Sequence, residues 1–150
     1  MDYIHEAEKG LKNYNRLTMS LQQLERRLDK LSVRGGPTAR VTAALELSGV
    51  RASRLRSAEQ IVFEILETQS ALAETKEALA NIDSLLDNMS RETGCEWYGQ
   101  MLREWYICRR PRKELEALFC KSNRSLYNMR SEAIKAFAVA YFGIRPLRGM

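Results

Sequence analysis

The chain has 150 residues, of which 45% are apolar, enough for one small core and too many for a disordered chain. No run of about 18 apolar residues is present, and the acid-bearing start MDYIHEAEKG lacks the apolar stretch of a signal peptide, so a cytoplasmic protein without membrane contact is expected. The net charge of +5 is unevenly placed: residues 103–150 carry eleven Lys and Arg against four Glu, a balance of +7, while residues 1–102 carry thirteen against fifteen, a balance of −2. A basic segment on a slightly acidic remainder points to a polyanionic partner for the C-terminal third.

Residues 4–31 are expected to form a helix, because Ile4, Ala7, Leu11, Tyr14, Leu17, Leu21, Leu24, Leu28 and Leu31 recur three or four residues apart. The consecutive threes at Leu11, Tyr14 and Leu17 break a strict heptad and shift the seam locally. Gly35, Gly36 and Pro37 are expected to stop this helix. Residues 34–56 then read as a linker, with one short helix from Ala39 to Leu47.

Residues 57–89 give the clearest signal. Ile61, Ile65, Thr68, Leu72, Thr75, Leu79, Ile82, Leu86 and Met89 alternate spacings of four and three, which is a heptad seam. Glu74, Lys76, Glu77, Asn81, Asp83 and Asp87 lie on the other face. One seam cannot bury itself. An antiparallel, coiled-coil-like hairpin of the two long helices is the economical solution, over residues 1–90. The thin core of such a pair suggests further burial against the C-terminal part or in a homodimer or higher homo-oligomer.

Residues 91–150 read as a separate small helical domain. Thr93 is placed to cap a helix over Cys95–Ile107, whose Trp97, Tyr98, Met101, Leu102, Trp105 and Tyr106 are too many for one narrow face and mark the middle of a core. A stacking platform for single-stranded bases is the alternative use of these rings, and it requires them exposed. Arg109, Arg110 and Arg112 surround Pro111, which suits the first turn of a helix over Arg112–Phe119 with Leu115, Leu118 and Phe119 as its stripe. After the turn Cys120-Lys121, Ser122 is a good N-cap for a last helix that can run to Phe142, with Gly143 as a C-cap and Pro146 as a stop.

A short helix, a tight turn and a second capped helix is the grammar of the helix-turn-helix, whose second helix enters the major groove N-terminal end first. Leu126, Met129, Ala133 and Phe137 would hold that helix to the domain, leaving Asn123, Arg124, Tyr127 and Asn128 facing outward. Arg can fork onto guanine and Asn can pair with adenine, while Ser125 is short enough to lie near a backbone or base. These five are the candidates for base contact. Arg109, Arg110, Arg112, Lys113, Lys121, Ser122 and Arg130 are the candidates for phosphate contact, positioning the domain without reading sequence.

Other chemistry is weakly signalled. Cys95, Cys108 and Cys120 are spaced by 13 and 12, match no metal knuckle and are expected to be small buried thiols. His5 is the one histidine and sits in a terminal segment with a mobile look, so neither a zinc site nor a His base is expected. No glycine-rich phosphate loop and no nucleophile–base pair appears, so neither an enzyme nor a cofactor is expected.

The stretch WYICRRPRKELEALFCKSNRSLYNMRSEAIKAF resembles the helix-turn-helix of sigma-factor region four, in the form found in small phage regulators of the RinA and ArpU type and in related uncharacterised Gram-positive phage proteins. Tyr106-Ile107, Arg109-Arg110, Leu115, Phe119, Ser122, Leu126, Tyr127, Met129 and Ala133-Ile134 carry the likeness. The specific pattern covers residues 102–137; the leucine-spaced helices upstream fit more loosely. Cys120 stands where Gly is frequent, Glu116 where a small residue is common, and Arg112 where an aromatic or polar residue often starts the helix. An inward Glu116 would be costly without a partner. The resemblance implies a transcriptional regulator encoded by a phage or prophage, nucleoid-associated in its bacterial host, with double-stranded DNA and RNA polymerase as partners. The other reading is a protein-interaction module that contacts polymerase or another phage protein through the same domain.

Overall fold

The structure, a computed structural model, describes the backbone of residues 2–45 and 51–148 and the side chains of residues 2–33 and 57–148. Every regular element among the described residues is helical, as the periodicity requires. In chain order they are α1 (Tyr3–Lys12), α2 (Tyr14–Leu45), α3 (Arg51–Met89), α4 (Glu96–Leu102), a π-helical turn (Arg103–Ile107), α5 (Arg112–Phe119), α6 (Asn123–Phe142) and the single-turn α7 (Arg145–Arg148). No described helix is long and apolar enough to cross a membrane. Two compact units result: Met1–Arg16 with Leu79–Met150, and Leu17–Ala78. The first unit thus includes α1 and the end of α3, a different division from the boundary near residue 90 expected from the sequence.

In the first unit α6 is the centre, and α1, α4, α5 and α7 pack on it. The three-and-four spacing of Leu126, Ala133, Ile134, Phe137 and Ala138 puts them all on its buried side. Ala7 and Leu11 from α1, Ile82 and Leu86 from α3, Met101 and Leu102 from α4, Tyr106 and Leu115 complete one cluster. Met129 is half-buried at its edge, so all four residues expected to anchor α6 do so. Phe137 and Leu126 are 1% and 0% exposed; burying side chains of that size contributes roughly 1.5–3 kcal/mol each.

Polar contacts fix the angles between these helices. Asp83 of α3 accepts the Tyr14 hydroxyl at 2.9 Å and the Arg103 guanidinium at 3.2 Å, and Arg103 also reaches Asp87 at 2.7 Å. Asn15 donates to the Ile107 carbonyl at 2.9 Å. Where α4 meets the end of α3, Ser90 Oγ donates to the Leu86 carbonyl and accepts the Gly99 N–H, both at 2.9 Å. A Cβ on Gly99 would lie 2.6 Å from the Leu86 carbonyl oxygen, so only glycine fits this crossing without movement.

The second unit is built on the two expected seams. Leu17, Leu21, Leu24, Leu28, Ile61, Ile65, Leu72 and Thr75 are half-buried, and Leu31 and Thr68 are buried. Residues of both helices line shared grooves, such as Leu24 and Arg27 with Glu67, Thr68 and Ala71.

Several expectations need correction. α2 continues through Gly35, Gly36 and Pro37 instead of stopping there. Each of these residues disfavours a helix interior, Pro by about 3 kcal/mol relative to Ala, and Pro37 lies well inside α2, so the continuation carries a local cost that the helix on either side must offset. The short helix expected from Ala39 is absorbed into α2 up to Leu45, and its last residues lie outside the described ones. The break in the first helix falls at Asn13, inside the region of irregular spacing. His5 is in α1, its N–H capped by Asp2 at 3.2 Å, and is not in a loose terminus. Cys95, not Thr93, stands at the N-cap of α4, and it makes no side-chain cap bond. The cysteines are free thiols as expected but are not buried: Cys95 is half-buried, and Cys108 and Cys120 are exposed. The last two sit in turns, where no element covers them. Leu118 is exposed too, because the buried side of α5 centres on Leu115. Pro146 does not stop the chain's helicity but is the second residue of α7 and is buried.

Candidate nucleic-acid interface

The turn between α5 and α6 is tightly specified. Cys120 adopts the left-handed conformation, φ 53° and ψ 43°, and its N–H bonds the Glu116 carbonyl. This is the backbone state that glycine favours, and a side chain in it costs roughly 1–2 kcal/mol. The Lys121 N–H reaches the same carbonyl at 3.3 Å. Ser122 then caps α6: its Oγ accepts the Ser125 N–H at 3.3 Å, and its hydroxyl lies 3.1 Å from that of Ser125. Glu116 is half-buried rather than turned into the core, so the cost of an inward carboxylate does not arise.

The five candidates for base contact separate into two groups. Asn123, Arg124 and Asn128 are exposed, and their side chains make no hydrogen bond or ion pair among the described residues. They lie on the first two turns of α6, at the end that Ser122 caps. Ser125 is half-buried and engaged with Ser122. Tyr127 does not face freely outward. Its ring meets Trp105 edge-on at 5.4 Å, with the Arg112 guanidinium over it at 4.8 Å and that of Arg130 at 5.3 Å.

The candidates for phosphate contact also divide. Lys113 and Lys121 are exposed and have no partner among the described residues. Arg110 is held by Glu104 in a short ion pair and lies 3.7 Å from Glu114. The Glu104 bond raises the guanidinium's pKa, keeping it firmly charged. Arg112 stacks on Tyr127, and Arg130 stacks on both Tyr127 and Trp105, the latter at 5.0 Å. Arg109 has a positive φ of 50° and donates to the carbonyls of Tyr106 and Lys12, each at 3.4 Å. Ser122 is occupied as the cap. Stacked arginines keep their outer N–H groups, so these contacts orient the charge without neutralising it.

The aromatic residues of α4 and the π-helical turn are largely enclosed. Met101, Leu102 and Tyr106 are buried; Trp97, Tyr98 and Trp105 are half-buried, and Trp97 meets Tyr98 edge-on at 4.4 Å. Burial raises the pKa of Tyr98, Tyr14 and Tyr106, with further rises from the bond to Asp83 for Tyr14 and from Glu8 for Tyr106. All three remain neutral hydroxyls near pH 7.

Sequence reasoning gave Trp105 only an alternative role in stacking single-stranded bases, not its place beside Tyr127 and Arg130, and gave α1 no site role. Lys9 and Lys12 of α1, with Arg16, share a groove of about 560 Å³ with Trp105, Tyr106, Arg109 and Arg130. Roughly ninety residues of chain separate the two sides, and no local pattern links them. The one hint was a pair of lysines in the last turn of α1, which helix-dipole effects already explain. No known protein family, curated protein or solved structure matches the chain.

Proposed function

We propose that the chain is a sequence-specific regulator of transcription that binds double-stranded DNA, with α6 entering the major groove from Ser122 onward. The observation that carries this reading is the pairing of a firmly held helix with an unoccupied outer face. Leu126, Ala133 and Phe137 fix α6 in the core, while Asn123, Arg124 and Asn128 stand exposed and unpartnered at its N-terminal end. Lys113 and Lys121 flank that end as free charges suited to phosphates, and the stacked Arg112 and Arg130 extend the basic surface. The resemblance to sigma-factor region four supports the same placement and suggests a phage or prophage setting with RNA polymerase nearby. Exposed Val62, Phe63 and Leu66 of α3, with Met19 and Val33 of α2, suit a homodimer, which light scattering would detect.

Duplex binding measured by fluorescence anisotropy at two salt concentrations tests the reading. Affinity should fall steeply with salt, with a log–log slope of about −0.9 per phosphate contacted. Lys121→Ala should weaken all sequences alike and reduce the slope by about 1, whereas Arg124→Ala should also erase discrimination between sequences. Binding that ignores salt, or no duplex binding at all, would defeat the proposal. Capture of polymerase without DNA would favour the alternative of a protein-interaction module, for which the exposed Leu118, Tyr141, Ile144 and Leu147 offer apolar contact area.

A further inference from the structure

A groove of about 560 Å³ in the first unit is lined by α1, Asn13, the start of α2, the π-helical turn, Arg109 in the loop after it, and α6. Its charged lining is one-sided: Lys9, Lys12, Arg16, Arg109 and Arg130 stand with a single carboxylate, Glu8, a balance of +4, or +3 once the ion pair of Lys9 with Glu6 at 3.7 Å is counted. Lys12 engages that carboxylate at 3.1 Å. Two of the guanidinium groups are held in place by contacts that leave their charge unspent, and the third is free. Arg109 is tied to two backbone carbonyls, Arg130 is stacked on Trp105, and Arg16 is exposed without a partner among the described residues. Rigid, uncompensated guanidinium groups around a concavity are the usual means of holding an oxyanion.

A second, independent feature points to a ligand. Tyr106 lines the groove and is 4% exposed, and its buried hydroxyl lies near Glu8 and Arg130 without a well-formed hydrogen bond to either. Such a group is costly and rare, and it stays protonated as a donor. Glu8 is engaged by Lys12, and an oxyanion in the groove would give the hydroxyl a well-formed acceptor.

We propose that this groove is a phosphate-binding site, with Arg16, Arg109 and Arg130 as its guanidinium donors and the Tyr106 hydroxyl as a buried donor. The site goes beyond the placement of α6 and stands without it. The phosphate has two possible sources, a phosphodiester of a nucleic-acid backbone or a free phosphate, and both present the same oxygens.

The full chain is titrated with inorganic phosphate by calorimetry, with chloride as the control ion, and separately with duplex DNA of mixed sequence. Arg16→Gln and Tyr106→Phe are compared with the parent protein and with Lys121→Ala, all checked for parental circular dichroism. Arg16→Gln should weaken binding about tenfold, as expected for one charge-assisted contact, and Tyr106→Phe should weaken it less. Loss confined to the duplex identifies the phosphodiester; loss confined to inorganic phosphate identifies the free ion. Either supports the site. If both variants bind inorganic phosphate and duplex as the parent does, or if the parent binds neither, the site does not exist. Lys121→Ala should lower duplex binding and leave inorganic phosphate unchanged. A groove that holds phosphate while Lys121→Ala has no effect on the duplex would retain this inference and remove the placement of α6.

Discussion

The two compact units bury apolar surface to different depths. In the first, Leu11, Leu86, Met101, Leu102, Leu115, Leu126 and Phe137 are all less than 2% exposed. In the second, most seam residues are half-buried, and Val33, Val62, Phe63 and Leu66 are largely exposed. The difference is geometric. Two helices share one line of contact, whereas α6 is surrounded by α1, α4, α5 and α7. A heptad seam of high regularity therefore produces a shallower core than the short, irregular helices of the C-terminal part. Regular spacing reports which side is buried, and the number of neighbours decides how deeply.

The sharpest way to break this comparison is to cut equivalent holes in the two units. Phe137→Ala should destabilise the protein by about 3–5 kcal/mol in urea unfolding. Leu72→Ala, at a half-buried seam position, should cost less than half as much. Equal losses would mean that the second unit is covered by something beyond the chain itself, such as a second copy. Next in size is Gly99→Ala. The new methyl would meet the Leu86 carbonyl and Ser90, so a loss of about 1–3 kcal/mol is expected by thermal denaturation, with Ser90→Ala relieving only part of it.

Two smaller effects sharpen the picture of the first unit. Cys120→Gly should stabilise by about 1 kcal/mol, because it removes a side chain from a left-handed backbone position; an unchanged melting temperature would show that the turn relaxes freely. Tyr106→Phe should leave stability near neutral pH unchanged or raise it by about 1 kcal/mol, since the hydroxyl it removes is unsatisfied. It should also alter the alkaline limb. Tyr106 holds its proton beyond the ordinary value of 10.0 when folded, so above that pH the unfolded chain binds fewer protons and stability falls as pH rises. The variant should lose stability more slowly than the parent above about pH 10, measured by urea midpoints.

Much of the candidate interface was legible from residues 112–142 alone. The bounds of α5 and α6, the Ser122 cap and the anchoring by Leu126, Ala133 and Phe137 follow from local rules of spacing and capping, which act within a few residues. What those rules missed was competition for the arginines. Arg110, Arg112 and Arg130 could be recognised as basic, but not as partners of Glu104, Tyr127 and Trp105, because none of these contacts lies within a single element and local spacing rules do not reach that far. The clamp of Arg103 on Asp83 and Asp87 was hidden likewise: both carboxylates read as a solvated face.

By itself the sequence determined that this protein is all-α, where its helices turn inward, and that its charge gathers in the last third. Those properties depend on residue type and on intervals of three and four, and they survive any arrangement of the helices in space. Only the tertiary structure decided that α1 belongs with α6, that Trp105 braces Tyr127, and that Arg16 and Arg109 share one groove. Contacts between residues about ninety positions apart depend on how whole helices pack, and no short-range pattern encodes that packing.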